Sequence, residues 1–475
     1  MPAKSTSRLA LFSSLALLAL VGAISTTGCS EVSTESADGD DSGTPDTDAG
    51  ADASACSAEG TGSIAIVVTG LPEGLDAQVK LTGPNGSPTD ATGSKTLADQ
   101  AAGSYEVTAA RVAKPDPIVR TLYEPKVSTS SFCLEKTQTQ TVTITYSEVA
   151  SSNKLWSTNG NSDSGQLLGF AGADLSATGT PSAKVATKGA AGMGAHAGKS
   201  VAFDKDGNLW SLGATSADAP LLRFAAADLG ASGDKTPDRK IAPKLSGCSP
   251  GPAALAFAPD GALWMTVPCS DRILRISPDT LNASGEYTPA AEDFATGTKA
   301  PKNLAFDKDG NMWVSDDTSV RRFPAASLAA GQPHVPDFEL KAKAENEAPL
   351  PPDALAFDKD GSLWVTSFGG NVVYKLTAAE LTPEGATKEL VPSVSITVSV
   401  GALLDSLAFD ESGGLWFTYS QGKIARLGPG QLGASSGSGD PTIPTTIVTS
   451  ADIGYAGGMA FFPAPASLPL YSRFE

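Results

Sequence analysis

From residue 153 onward, hydrophobic positions come in short bursts, and no helical periodicity runs through them. "SVAFDKDGNLW" ends at Trp210, "ALAFAPDGALW" at Trp264, "NLAFDKDGNMW" at Trp313, "ALAFDKDGSLW" at Trp364 and "SLAFDESGGLW" at Trp416. In each, an apolar stretch closing on Ala-Phe is followed by a polar break and a second apolar stretch carrying Trp. Such bursts are strand signals, and Asp-Gly between them predicts a hairpin with a two-residue type I′ turn. All six tryptophans of the chain lie here, at 156, 210, 264, 313, 364 and 416, spaced by 54, 54, 49, 51 and 52 residues. Farther along each copy a cation precedes an apolar residue, as in Arg223-Phe224, Arg275-Ile276, Arg322-Phe323, Lys375-Leu376 and Arg426-Leu427. Gly169-Phe170 stands there in the first copy. This segment reads as a third strand, and the stretch after the next Pro as a fourth.

Self-similarity at such a period means one supersecondary unit stacked on its copies. Four strands in a unit of this length describe a propeller blade, with the aromatic residues packing between sheets. Trp156 has no Ala-Phe strand ahead of it, and the last such strand, "GGMAFF" (457–462), has no Trp after it. Pairing the two completes a sixth blade from both chain ends and covers the edges an open ring would expose. The expected fold is all-β: a six-bladed β-propeller over 151–475, closed by its N- and C-terminal strands and preceded by a small β-sandwich. "LPLYS" (468–472), with Tyr471 in the aromatic position, leaves a seven-bladed count open. The Asp-x-Asp run is read as a turn. A calcium loop spreads its ligands over a dozen residues and closes on Glu, and Ala258-Pro259 replaces the first acidic pair of one copy without breaking the pattern.

Ahead of the repeats, "SIAIVV" (63–68), "AQVKLT" (77–82), "SYEVTAA" (104–110) and "TQTVTITY" (139–146) carry β-branched and aromatic residues between turn-rich breaks. Residues 59–150 are therefore read as the β-sandwich, loosely similar to immunoglobulin or transthyretin-like modules. Residues 30–58 hold eight acids in the stretch 30–57 with no Lys or Arg there, a composition that cannot bury a core and makes a self-repelling tether. Residues 1–29 form a targeting segment: Lys4 and Arg8 precede an apolar run of 16 residues (9–24), short for a membrane span and of the length of a signal sequence.

Composition changes the picture in two ways. The formal charge of −18 becomes about −20 once Lys4 and Arg8 are removed (−18 minus 2), which argues against nucleic acid as a partner. Of the five cysteines, four come after Cys29, at Cys56, Cys133, Cys248 and Cys269. They permit three pairings, and position in the chain favours Cys56–Cys133 and Cys248–Cys269 in an oxidising compartment.

Two resemblances add to this. "STTGC" (25–29) is similar to the lipobox of bacterial lipoproteins, with Gly28 before the Cys and Thr26 where Leu is usual. The resemblance implies lipidation at Cys29, hence a membrane partner through the lipid and an exported, envelope location; Ser30 would suit outer-membrane sorting. The "AFDxDGxLW" hairpins resemble the six-bladed superfamily of NHL-repeat proteins, SMP-30/gluconolactonase-like lactonases and virginiamycin B lyases. That superfamily places its sites at one mouth of the channel, on residues just before each Ala-Phe strand and just after each Trp strand. Those residues are Asn303, Asp353 and Asp405, and Asp271, Asp316, Asp317, Thr366 and Thr418. Lactonases of the SMP-30 type imply a divalent cation, Ca²⁺ or Mg²⁺, on Glu, Asn and Asp; here Asp353 of "PDAL" matches, and Asn303 of "PKNL" falls one position late. The lyases use His and Glu around Mg²⁺. The chain has two His: His196, in the loop before a hairpin and able to face the mouth, and His334, in a Pro-flanked outer loop where exposure is expected. The functional expectation is a monomeric, non-catalytic binding or scaffolding module for an envelope protein or glycan, with a cation-dependent lactone hydrolase as the alternative.

Overall fold

The computed structural model describes residues 56, 59–159, 166–188, 200–213, 220–245, 252–401, 403–419, 422–454, 456–466 and 468. Cys29, His196, Cys248 and Tyr471 lie outside them. The described residues form eight sheets. Six belong to the repeats and order as Ala-Phe strand, Trp strand, third strand, fourth strand, in chain order in five of them and with the Ala-Phe strand drawn from residues 456–462 in the sixth. This is the β-propeller arrangement. The inner strands are Val201–Phe203, Leu255–Phe257, Asn303–Phe306, Pro352–Phe357, Leu404–Phe409 and Ala456–Phe462. Each touches the next, and the last touches the first. The strand Ala456–Phe462 pairs antiparallel with Lys154–Asn159, placing Ala460 opposite Trp156. Three sheets gain a parallel strand at the outer edge from the following repeat, as when Thr387–Leu390 adds to Phe338–Ala342.

The polar breaks fold around their first aspartate. Asp307 N donates to Asn311 O and Gly310 N to Asp307 O, both at 3.0 Å. Three residues therefore form the loop, and only Gly310 is left-handed, at φ +81°. The expected two-residue type I′ turn is not what forms. Asp307 Oδ1 accepts from the N–H groups of Asp309 and Asn311 at 2.9 Å each, and this Asx cage holds the middle residues right-handed, leaving the single glycine to reverse the chain. Asp204 does the same with Asp206 and Asn208, at 3.0 Å each.

The other oxygen of that carboxylate fixes the tryptophan. Nε1 of Trp210, Trp313, Trp364 and Trp416 donates to Asp204, Asp307, Asp358 and Asp410 at 3.0, 2.9, 3.0 and 2.7 Å. The indole then packs on the Ala-Phe phenyl of the next sheet: Trp156–Phe203, Trp210–Phe257, Trp313–Phe357, Trp364–Phe409 and Trp416–Phe461 have centroids 6.0–6.4 Å apart. Trp264 and Phe306 share one core. Burying an indole removes about 150–250 Å² from water, on the order of 4–6 kcal/mol each before conformational costs. The third-strand cation sits across from the indole, as Arg322 does from Trp313. Gly169 holds that place in the first copy because a Cβ there would come within 3.1 Å of Trp156.

Two copies lack the carboxylate. Trp156 Nε1 donates instead to the Ser151 carbonyl at 2.9 Å. In the third copy Ala258 stands in the aspartate's place, and Trp264 Nε1 is buried without a partner among the described residues. His334, expected to be exposed, is buried at 3% and meets this indole edge-on at 5.1 Å. Its Nδ1 contacts the Ser327 carbonyl and its backbone carbonyl accepts from Thr296 N, so the outer loop folds inward over the tryptophan that lacks its aspartate.

The remaining two sheets share one apolar core that includes Ile64, Val79, Val107 and Ile144. One sheet orders Lys95–Ala101, Thr61–Thr69, Thr139–Glu148, Thr121–Val127 and Val112–Lys114; the other orders Pro88–Ala91, Gln78–Thr82, Gly103–Ala110 and Ser131–Leu134. Cys56 is disulfide-bonded to Cys133. Cys269 is disulfide-bonded as well. These sheets are locked to the repeats: Ser151 and Ser152 are fully buried, Ser151 Oγ donates to Gly207 O at 2.8 Å, and Arg120 pairs with Glu411 at 3.2 Å. Residues 56–475 make one compact unit.

Replacing Asp307 with Ala strands two backbone N–H groups and one indole N–H, and should cost about 2–4 kcal/mol in urea unfolding. Ala258→Asp should do the opposite and raise the thermal midpoint by supplying Trp264 with its missing acceptor.

Candidate functional site

At the strand ends opposite the Asx turns, a hydroxyl recurs two residues after Trp. It ties neighbouring sheets together. Thr266 Oγ1 accepts from Ala254 N at 2.9 Å and donates to Lys302 O, on the next inner strand, at 3.3 Å. Ser315 Oγ accepts from Asn303 N at 3.0 Å and donates to Asp353 O at 2.5 Å. Thr366 Oγ1 accepts from Ala354 N at 2.9 Å, and Thr418 Oγ1 donates to Gly457 O at 3.4 Å. Thr366 and Thr418 are fully buried. A hydroxyl bonded to backbone and out of reach of solvent holds structure and does not meet a ligand.

Asp316 is likewise fully buried. Its Oδ1 accepts from Thr318 N, Ser319 N and Ser319 Oγ, and its Oδ2 from Arg321 Nε at 2.6 Å. Burial pushes its carboxyl up, but the Arg321 hydrogen bond, the Thr318 N–H, the guanidinium charge and the Ser319 hydroxyl outweigh it. The net position is below the ordinary carboxylate range. Asp271 caps the short 3₁₀ turn Pro268–Ser270 at φ +55° and accepts from Ala300 N at 2.7 Å, joining two loops.

Asp353 and Asp405 occupy equivalent places. Each is the extra residue of a bulge at the start of its inner strand, between Pro352 and Leu355 and between Leu404 and Ser406. Asn303 does not share that place. It pairs with Ser315, as Ser406 pairs with Thr418, so the residue equivalent to the two aspartates is Lys302. Its ammonium donates to Pro352 O at 3.3 Å and lies 4.0 Å from the Phe368 ring centre. A lysine in the third position does not suit a divalent-cation site, because its charge repels the ion that the carboxylates would attract. Among the described residues no three of His, Cys, Asp and Glu gather as a metal-holding group.

The same rim carries two exposed apolar side chains, Phe368 at 56% and Leu403 at 47%. Leu403 is held at φ +73°, in the left-handed region that a leucine rarely adopts, and its N–H donates to Gly370 O at 3.1 Å. Lys302, Phe368 and Leu403 were not singled out from the sequence. The recurring hydroxyl after Trp was visible there, and its spacing from the inner strand could have marked it as a tie between sheets.

No protein-family model matches the chain, and no curated protein does. Solved structures are similar at low identity. Streptogramin B lyase aligns at 15% identity and TM-score 0.32 over 49% of this chain and 65% of its own, just under two thirds of its length. Virginiamycin B lyase from Staphylococcus aureus aligns at 15% and 0.37 over 59% and 82%, and a putative gluconolactonase at 21% and 0.35 over 58% and 80%. At these values the likeness assigns no chemistry.

A carboxyl held below its unfolded value adds stability that is present above that value and lost as pH falls through the folded one. Asp316→Asn should therefore lower the urea midpoint at neutral pH. The gap to the parent should close below about pH 4. A gap that stays constant into acid would show that Asp316 acts through shape alone.

Proposed function

We propose that the chain is an exported, lipid-anchored, non-catalytic binding module of the bacterial envelope. Cys29 carries the lipid, residues 30–58 are the tether, and a β-sandwich over 59–150 supports a closed six-bladed propeller over 151–475. The six inner strands in mutual contact and the pairing of Trp156 with Ala460 support that closure. The observation that carries the functional reading is the commitment of the mouth's polar groups. Thr366, Thr418, Asp271 and Asp316 are occupied in holding loops and sheets, while Phe368 and Leu403 stand in solvent beside Lys302. An exposed aromatic ring backed by a cation is suited to contact a partner surface, a protein or a glycan, and not to activate water.

The second reading, a lactone hydrolase using Ca²⁺ or Mg²⁺, is favoured only by the matching bulges that carry Asp353 and Asp405. Lys302 beside them opposes it.

A photo-crosslinking side chain at position 368 should give a discrete adduct in cells, and one at the outer-loop position 443 should not. The purified protein cut after Cys29 should show no thermal shift with Ca²⁺ or Mg²⁺. A stoichiometric cation together with saturable lactone hydrolysis would overturn this proposal in favour of the second.

A further inference from the structure

We infer that the space enclosed by the inner strands is a binding site for one small, uncharged molecule with an apolar body and a single hydrogen-bonding group, of the size of a phenol or a short-chain alcohol. The space holds about 180 Å³, is open to solvent over much of its surface, and every side chain lining it is apolar. Its wall is the Ala of successive Ala-Phe pairs, from Ala256 to Ala460, with Leu304, Leu355, Leu407 and Met459 beside them. Ala stands at this position in all six inner strands, at 202, 256, 305, 356, 408 and 460. Alanine is a poor strand former. At a place that faces open space, it keeps the volume that Val or Ile would fill.

Three features set the ligand class. No charged side chain reaches the cavity, so an ion would lose its hydration without repayment. The apolar lining offers an apolar body dispersion contacts and removal from water that a hydrated ion cannot use. Each inner strand ends its sheet, so those of its outward N–H and C=O groups that no neighbouring hydroxyl occupies, unlike Met459 N, which donates to Ser406 Oγ, can meet one polar group of a guest. The far end is covered by Ala464, Pro465 and Leu468. This cover is held by the Arg120–Glu411 pair: Arg120 donates to Ala464 O at 2.8 Å, and Ala466 N to Glu411 Oε1 at 3.3 Å. The inference concerns the interior and is independent of what the rim binds.

Met459 makes the site observable, because it is one of only five methionines. In the chain cut after Cys29 and carrying ¹³C-methyl methionine, phenol should shift the Met459 resonance saturably while leaving those of Met265 and Met312, which lie in other cores. Benzoate should not shift it, and Ala356→Leu should weaken phenol at least about tenfold. An unmoved Met459, an equal response to benzoate, or undiminished binding by Ala356→Leu would overturn the assignment. If that variant does not fold, phenol against benzoate on the parent protein decides alone.

Discussion

One carboxylate with two tasks organises the larger part of this molecule. Its first oxygen gathers the N–H groups of a three-residue loop, and its second fixes the indole six residues on. Orientation of that ring is what lets one sheet recognise the next, because an indole turned by its N–H presents a defined face to the neighbouring phenylalanine. A free indole could adopt other rotamers and would leave a buried donor unpaired, at about 1–3 kcal/mol. In three of the sheets the hydroxyl two residues past Trp (Thr266, Ser315, Thr418) does the corresponding work at the opposite strand end and ties the sheet to the next inner strand. Between the pins lies the dry packing of Leu, Val and Phe that supplies most of the stabilisation.

The exceptions follow the same physics. Where the aspartate is missing in the first copy, the carbonyl of Ser151 supplies the acceptor, and that residue belongs to the segment joining the two parts of the chain. The substitution ties the N-terminal sheets to the repeats through the same indole contact that elsewhere is internal to a unit. Arg120 and Glu411 reinforce the junction from the other side. An ion pair this buried carries a desolvation cost. The backbone bonds from Glu411 N and Ser412 N to the carbonyls of Ile118 and Pro117 share the load. The joint is consequently part of a core, and the two parts make one compact unit.

Much of this could be read from the chain. Hairpins, strand order and the period of Trp are local or periodic features, and a single sequence records them directly. The turn type was missed because Asp-Gly signals a hairpin without specifying which preceding side chain will cage the N–H groups. His334 was misplaced for a different reason. It is buried against Trp264, whose aspartate is replaced by Ala258, and only three-dimensional proximity connects the two. The rim shows the same limit. Asn303 drew attention by residue type, but a bulge before Asp353 and another before Asp405 shift the register by one and put Lys302 in line with them. The one-position offset of Asn303 was visible in the sequence; what it did not show is that the residue in line with the two aspartates, Lys302, holds its ammonium on Pro352 O beside them.

The chemistry of the interior and that of the rim differ because the geometry allots residues differently. Between the inner strands, Ala at the central position of each leaves space open; polar side chains there would need partners that other inner strands cannot supply. At the rim the strands diverge, loops lengthen, and side chains such as Phe368 reach water. Polar residues between these zones face backbone groups on two sheets at once and are drawn into joining them. A protein built this way keeps its carboxylates and hydroxyls for cohesion. Its recognition then falls to what cohesion does not use: an aromatic ring beside a lysine outside, and an alanine-lined hollow within.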